Sequence, residues 1–214
     1  MADERVPADY EDMEMLDAER FDRKVREHFM PAFPSMAKQI VNDYGVLEGT
    51  CVDVGSGTAH MAIELCRRTN LRICALEVVN SICRIARRNI ESEGLTDRIL
   101  LVLGDAHNLP FRNEAADFII SRGSYHCWKD KALVIREIYR VLKTGGLCLV
   151  GGGFGRYLTE NELNRMISLR DFSLKGDAEY YRSPKKLEKS IHEAGILNFR
   201  IIYDRTGLWA EIKK

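Results

Sequence analysis

Short apolar runs alternate with amphipathic stretches along most of this chain. From Thr50 the runs are TCVDVG, LRICALE, ILLVLGD, ADFIIS and LCLVGGG; between them lie ELCRRT, NSICRIARRNIES and KALVIREIYRVLKTGG. Apolar runs of strand length separated by helix-period segments predict a mostly parallel sheet covered on both faces. The helix before the fifth run is expected to end near Lys143, with Gly145 and Gly146 as its stop. The end of the chain, NFRIIYDRTGLWAEIKK, reads as two strands joined by a turn over residues 204–207. That hairpin would give the sheet an antiparallel edge.

The segments flanking this pattern read as helices. REHFMPAFPSMAKQIVNDYGVLEG places Phe29, Phe33, Met36, Ile40 and Val41 on helical faces interrupted near Pro31 and Pro34. Ten acidic and five basic side chains occupy the first thirty residues. Residues 1–48 are therefore expected to form an N-terminal helical extension with a mobile acidic tip, a candidate active-site cover, and residues 49–214 the main domain. TENELNRMISLR predicts a helix after Thr159 with Glu162 in capping-box position, and SPKKLEKSIHEAG a helix capped by Ser183, with Pro184 first and Gly195 as its stop. Three successive glycines in GGGFGRY suit close backbone approach, lid bending or an exposed connection.

Composition narrows the partners. Lys plus Arg and Asp plus Glu both number 32, so nothing global draws the chain to nucleic acid or anionic lipid. The charges of YYRSPKKLEKS have the spacing of a solvated helix face. Cys51, Cys66, Cys74, Cys83, Cys127 and Cys148 include no CxxC pair, and several sit in apolar runs, which suits buried thiols in a reducing compartment. With no leader-like start and no apolar run of spanning length, a cytoplasmic location is expected. The five histidines and six cysteines offer no metal-ligand spacing, so no metal is assigned.

The chemistry begins at VDVGSGTAH. Gly55 and Gly57 permit a tight turn whose amides approach a ligand, and the following helix directs its N-terminus to the same place. A dinucleotide fingerprint needs its third glycine where His60 stands, and a P-loop needs a Lys-Ser or Lys-Thr pair that is absent. Asp53 beneath the turn suits a ligand carrying an amine or cation. Glu77, twenty positions after Gly57, ends the next run and can accept from two ribose hydroxyls, or it is an ordinary surface acid. Asp105 and Ala106 follow the third run; the pair can orient a purine edge, the carboxylate accepting from an exocyclic amine, or cap a turn. All three signals fall at the carboxyl ends of predicted strands, where doubly wound sheets assemble ligand sites. Together they outline a nucleoside joined to an amino-bearing chain.

VDVGSGTAH, CALE, GDAHNLPF, ADFIISRGSYHCW and YRVLKTGGLCLVGG resemble the class I S-adenosylmethionine-dependent methyltransferases, particularly the small-molecule branch related to quinone and sterol methyltransferases. The likeness spans residues 48–152 and the hairpin at 198–212. It implies an α/β, Rossmann-like doubly wound seven-stranded sheet with an antiparallel C-terminal strand, and S-adenosyl-L-methionine as cofactor. It further implies that Asp53 with Gly55, Ser56 and Gly57 holds the methionine portion, that Glu77 binds the ribose, and that Asp105 and Ala106 flank the adenine. Ser121 would approach the cofactor's amino-acid end. Glu77 stands for the commoner aspartate, LKTGG for LKPGG, and RGSYHCW after Ser121 departs from the pattern.

Methyl transfer is a displacement that needs alignment and dryness, with a base only where the acceptor must lose a proton. SRGSYHCWKD follows the fourth run, so His126 is the candidate general base or a pocket-lining group. Arg122 is a candidate for an anionic acceptor; Tyr125 and Trp128 are candidates for its pocket, with Phe154, Tyr157, Phe29, Phe33 and Met36 enclosing it. The expected function is methyl transfer to a small molecule. The alternatives are an RNA or protein acceptor and a noncatalytic cofactor-binding protein; neither accepting atom nor oligomeric state is fixed by these residues.

Overall fold

The sheet follows from strict alternation along its central strands. In the computed structural model, which describes residues 15–173 and 183–214, β1 (Glu48–Val54) sends Cys51 to one face and Val52 and Val54 to the other. β4 (Ala116–Arg122) does the same with Phe118 and Ile120 against Ile119. A strand buried on both faces needs helices on both sides. On one face lie α2 (Ala32–Tyr44), α3 (His60–Arg68) and α4 (Asn80–Ser92), which supply Met36, Ile40, Leu65 and Ile90 to the core. On the other lie α5 (Lys131–Val141) and α7 (Pro184–Glu193), which supply Ile135, Ile138, Leu187 and Ile191. Each such buried aliphatic side chain contributes about 1.5–3 kcal/mol.

With β2 (Asn70–Glu77), β3 (Ile99–Leu103), β5 (Leu142–Gly153), β6 (Phe199–Asp204) and β7 (Gly207–Lys213), the seven strands run in the order β3-β2-β1-β4-β5-β7-β6. The first five in sequence are parallel, and β7 lies between β5 and β6, antiparallel to both. The turn at 204–207 is where the sequence puts it, and its second strand is inserted rather than added at the edge. Val54 pairs with Leu76 and Asp53 with Ile120, so the carboxyl ends of β1, β2 and β4 finish level.

Three local expectations change. α5 ends at Val141, not near Lys143, because the buried Leu142 already pairs with Ala116 in extended conformation. Gly145 instead donates its N–H to the Lys214 carbonyl, a turn within β5. The helix after the glycine turn, which the sequence leads one to expect from near Thr58, starts at His60, one residue beyond Ala59, whose left-handed φ of 68° keeps it out of the helix. Gly151–Gly153 are β5 residues paired with β7, not a bending lid or exposed connection: a Cβ on Gly151 would fall 2.1 Å from the Leu208 carbonyl oxygen.

The capping box stands: in α6 (Glu160–Ser173), Thr159 and Glu162 exchange N–H bonds through their side chains. Ser183 precedes Pro184 as expected, but its side chain makes no cap bond. α1 (Met15–His28) packs Ala18 against Val79, Ile82 and Ile85 at the start of α4. The acidic tip before residue 15, and Tyr180, Tyr181 and Arg182 of the basic run, lie outside the described residues.

Candidate functional site

The level strand ends open on a cavity of about 240 Å³. The β1 turn is hooked to β2: the amides of Gly55 and Ser56 both donate to the Leu76 carbonyl at 2.9 Å. Gly55 has φ +71°, and a Cβ there would lie 2.4 Å from the Ser124 Cβ, so the loop after β4 closes tightly over this turn. Ser124 Oγ donates to the Val54 carbonyl at 3.0 Å, and Ser121 Oγ lies 2.6 Å from Ser124 Oγ. Since the Val54 carbonyl can only accept, Ser121 is the donor to Ser124. Ser121 is wholly buried and pins this loop from behind the cavity wall.

Asp53 is 1% exposed, and its Oδ2 has no hydrogen-bond partner. Burial pushes the carboxyl up to about 7; the Glu77 charge adds to the rise and the Arg122 guanidinium opposes it. Glu77 lies across the turn. Its Oε2 accepts from Gly57 N–H at 2.9 Å, and its Oε1 from the Val78 and Val79 amides at 2.9 and 3.1 Å. Burial raises its pKa against the pull of those three amides. The buried Ser56 Oγ also lacks a partner.

A desolvated carboxylate with an orphaned oxygen costs free energy unless a cation meets it. These groups therefore fit a ligand that brings an ammonium to Asp53 and donors and acceptors to Ser56 and the turn. Glu77 has lone-pair capacity for hydroxyls beside its amide donors. Asp105 and Ala106 line the cavity past β3, where Asp105 caps the short helix Ala106–Asn108 through the His107 amide. Both readings of Asp105, turn cap and ligand acceptor, are thus open to the same side chain.

The other half of the wall comes from the loop after β4 and from the N-terminal helices. Arg122, His126 and Trp128 line it. The Arg122 Nε donates to the Gly153 carbonyl at 2.9 Å, and its guanidinium sits 4.7 Å over the Phe33 ring, itself in the wall. The remaining acceptor candidates are not brought to the cavity. Tyr125 is buried against α7, its hydroxyl 3.1 Å from Ser190 Oγ. Phe29 stacks on Phe154 beneath α6, with ring centroids 6.5 Å apart, and Met36 is core. Tyr157 is on the surface, its hydroxyl bonded to Asp43.

The wall also contains residues the sequence reading passed over: Phe21, Val25, His60, Val79, Ser124 and Cys127. Phe21 was legible only as a lone aromatic in a charged helix, 39% exposed yet 3.6 Å from where a Gly57 Cβ would stand. Its neighbour Asp22 holds α1 down. The Asp22 carboxylate meets His60 Nε2 at 3.1 Å, Arg26 Nε at 2.7 Å and Asn89 Nδ2 at 3.3 Å. Burial works against that carboxylate, yet donors from Arg26, Thr58 and His60 hold its pKa below the usual value. Burial lowers the His60 pKa, with Asp22 opposing. Among the described residues no three His, Cys, Asp or Glu side chains cluster as metal ligands, and no helix is long and apolar enough to cross a membrane.

Comparison with known proteins places this geometry. A methyltransferase-domain family matches residues 52–150. A crystal structure from Methanococcus maripaludis, assigned as an S-adenosyl-L-methionine-dependent methyltransferase, superposes with a TM-score of 0.83 at 34% identity, covering 94% of this chain and 93% of that one. A Streptomyces halstedii methyltransferase is 35% identical over 112 residues, 52% of this chain and 40% of that protein. The 2-methyl-6-phytyl-1,4-hydroquinone methyltransferase of Arabidopsis thaliana is 37% identical over 101 residues, 47% of this chain and 29% of that protein. The chain thus spans less than half the length of these two curated relatives.

Proposed function

The chain belongs to the S-adenosylmethionine-dependent methyltransferases, and from that premise we propose that it methylates a small, largely apolar acceptor bound between Phe33 and Trp128. The observation that carries this reading is the orphaned Asp53 Oδ2, buried in the wall of a cavity that also takes in Glu77, Asp105, Phe33 and Trp128. When bound, S-adenosylmethionine supplies an electrophilic methyl group on a sulfonium.

Asp53 pairs with the cofactor's ammonium, and Gly55, Ser56 and Gly57 surround its methionine portion. Glu77 turns its lone pairs to the ribose hydroxyls. Asp105 accepts from the adenine amine beside Ala106. Ser121 acts through Ser124, keeping the β4 loop closed on the turn. On the acceptor side, Phe21, Val25, Phe33 and Trp128 keep water from the reacting centre, which favours a displacement that spreads charge. His126 takes the proton on an imidazole nitrogen when the acceptor is a hydroxyl or an activated ring carbon. Arg122 orients a polar or anionic substituent. The hydroquinone methyltransferases among its relatives support an aromatic, hydroquinone-like acceptor. Six cysteines, none of them joined in a disulfide, support a reducing, cytoplasmic setting for the protein.

In this arrangement the described part of the N-terminal extension, from residue 15 to residue 48, serves as the cover through Phe21, Val25 and Phe33, and the catalytic domain begins at residue 49. The test incubates the protein with methyl-labelled cofactor and, separately, a panel of hydroquinones and phenols, bulk RNA, and a protein extract. Label in a small molecule is the expected result. Label confined to RNA or protein, or saturable cofactor binding with no transfer to any fraction, overturns it.

A further inference from the structure

Both ring nitrogens of His107 are engaged, one by Asp105 of the cavity wall and the other by Asp130, just beyond the wall residue Trp128. The side chain is 3% exposed. Its Nδ1 lies 2.7 Å from Asp105 Oδ1, and its Nε2 lies 3.3 Å from the backbone nitrogen of Asp130. An amide can only donate, so Nε2 is the acceptor and the ring proton sits on Nδ1, aimed at Asp105. Asp105 Oδ1 also takes the His107 amide at 2.9 Å. Two donors from one residue therefore fix the rotation of a carboxylate that forms part of the cavity wall.

The second anchor is equally firm. Asp130 caps α5 through Leu133 N–H at 2.8 Å and follows Trp128 of the cavity wall by two residues. His107 thus spans from the loop after β3 to the loop after β4. A carboxylate only accepts, so one held toward position 6 of a purine meets an amine and repels an oxo group, whereas one free to turn can shift to the N1–H that accompanies a 6-oxo group and tolerate it. Oδ2 keeps lone-pair capacity for a ligand amine beside any other donor.

We propose that His107 is a positioning residue for nucleobase selection, its Nδ1–H setting Asp105 so that the site accepts a 6-amino purine and rejects a 6-oxo purine. This rests on the assignment of Asp105 to the adenine amine. A purely structural His107 would support both kinds of purine equally.

The test measures binding of S-adenosylhomocysteine and of S-inosylhomocysteine, in which an oxo group replaces the amine, by titration calorimetry on the full chain. Wild type should prefer the adenosyl compound by about 30-fold or more. His107→Leu should cut that preference about tenfold, and His107→Asn, whose amide can donate from the Nδ1 position, should keep it within about threefold of wild type. His107→Gln can still accept from Asp130 but has no donor at the Nδ1 position, so it should lose the preference as Leu does; it serves if the Leu variant fails to fold. Equal binding of the two compounds by wild type overturns the proposal. So does an equal weakening of both compounds in the Leu and Gln variants, with the preference intact. Asp105→Ala separates the layers: a preference surviving there removes Asp105 from the amine, whereas its loss in Asp105→Ala but not in the His107 variants removes His107 alone.

Discussion

At the tips of β1, β2 and β3 the cavity wall is carboxylate and backbone amide, whereas beyond β4 and along α1 and α2 it is aromatic ring, guanidinium and imidazole. The first half is fixed by strand register: Asp53 pairs with Ala75 and Ile120, and Glu77 ends β2. The second half is fixed by side chains reaching between elements, as Arg122 reaches Gly153 and Phe33, and Asp22 reaches His60 and Asn89. On the proposed reading, the cofactor's constant chemistry falls to the half set by strand register, and the acceptor to the half set by side-chain reach, the more adaptable of the two to sequence change.

The sharpest test of the fixed half is Asp53. Asp53→Ala should raise the Kd for S-adenosylhomocysteine about 10³-fold, because removing one partner of a buried ion pair costs about 3–5 kcal/mol. Wild-type binding should itself weaken about tenfold per pH unit below 7, since the carboxyl at about 7 must first lose its proton. The ligand-free protein should show the opposite trend in stability. The folded carboxyl keeps its proton where an unfolded aspartate has lost it, so stability falls as pH rises from about 4 to 7, by about 1.4 kcal/mol per unit, and is level above. Asp53→Asn should flatten that fall while binding ligand poorly. A variant that binds like wild type would show that the fixed half does not rest on this carboxylate.

The adaptable half should respond differently. His126→Ala should lower kcat for a hydroxyl acceptor about 10²-fold with the Kd for S-adenosylhomocysteine within twofold of wild type. A pH profile of kcat losing its lower limb in the variant would identify the imidazole as the base. A comparable loss of cofactor affinity would instead tie His126 to the fixed half and break the contrast.

α1 offers a smaller effect. Asp22→Ala removes the contacts with His60, Arg26 and Asn89 while leaving Phe21 and Val25 in place. If the helix is the cover, stopped-flow measurement should find association and dissociation of S-adenosylhomocysteine both about 5–10-fold faster, with Kd within about threefold. Unchanged rates with a lowered Tm would make α1 a structural brace instead.

How much of this was legible in the sequence tracks the same division. The strand runs, Asp53, Glu77 and Asp105 could be read because short apolar runs and the glycine turns and acids at their ends are local signals. Tyr125, Phe29, Phe154 and Tyr157 were plausible acceptor groups on residue type alone, yet long-range packing against α7, α6 and Asp43 decided where they went. Phe21 and Asp22 were hidden for the reverse reason: a charged helix with one aromatic gives no sign of which face lies over a turn thirty-five residues later. The end of α5 was misplaced because glycines mark a turn wherever one occurs, and here the strand had already begun at the buried Leu142.

Tyr125 supplies the finest test of that division, because it sits in the loop that carries His126 and yet faces the other way. Its ring lies edge-on to Trp128 at 5.6 Å, and its hydroxyl bonds to Ser190 and to the Lys186 carbonyl at 3.3 Å. Tyr125→Phe keeps the ring and removes only the hydroxyl. Losing a buried hydrogen-bonded hydroxyl should cost about 1 kcal/mol of stability in urea unfolding. Acceptor KM and cofactor Kd should stay within about twofold, since the aromatic wall at Trp128 is still supported from behind. A rise in acceptor KM of tenfold or more without a matching change in stability would put the hydroxyl in contact with the acceptor. The boundary between the adaptable half of the cavity and its scaffold would then run through Tyr125 rather than in front of it.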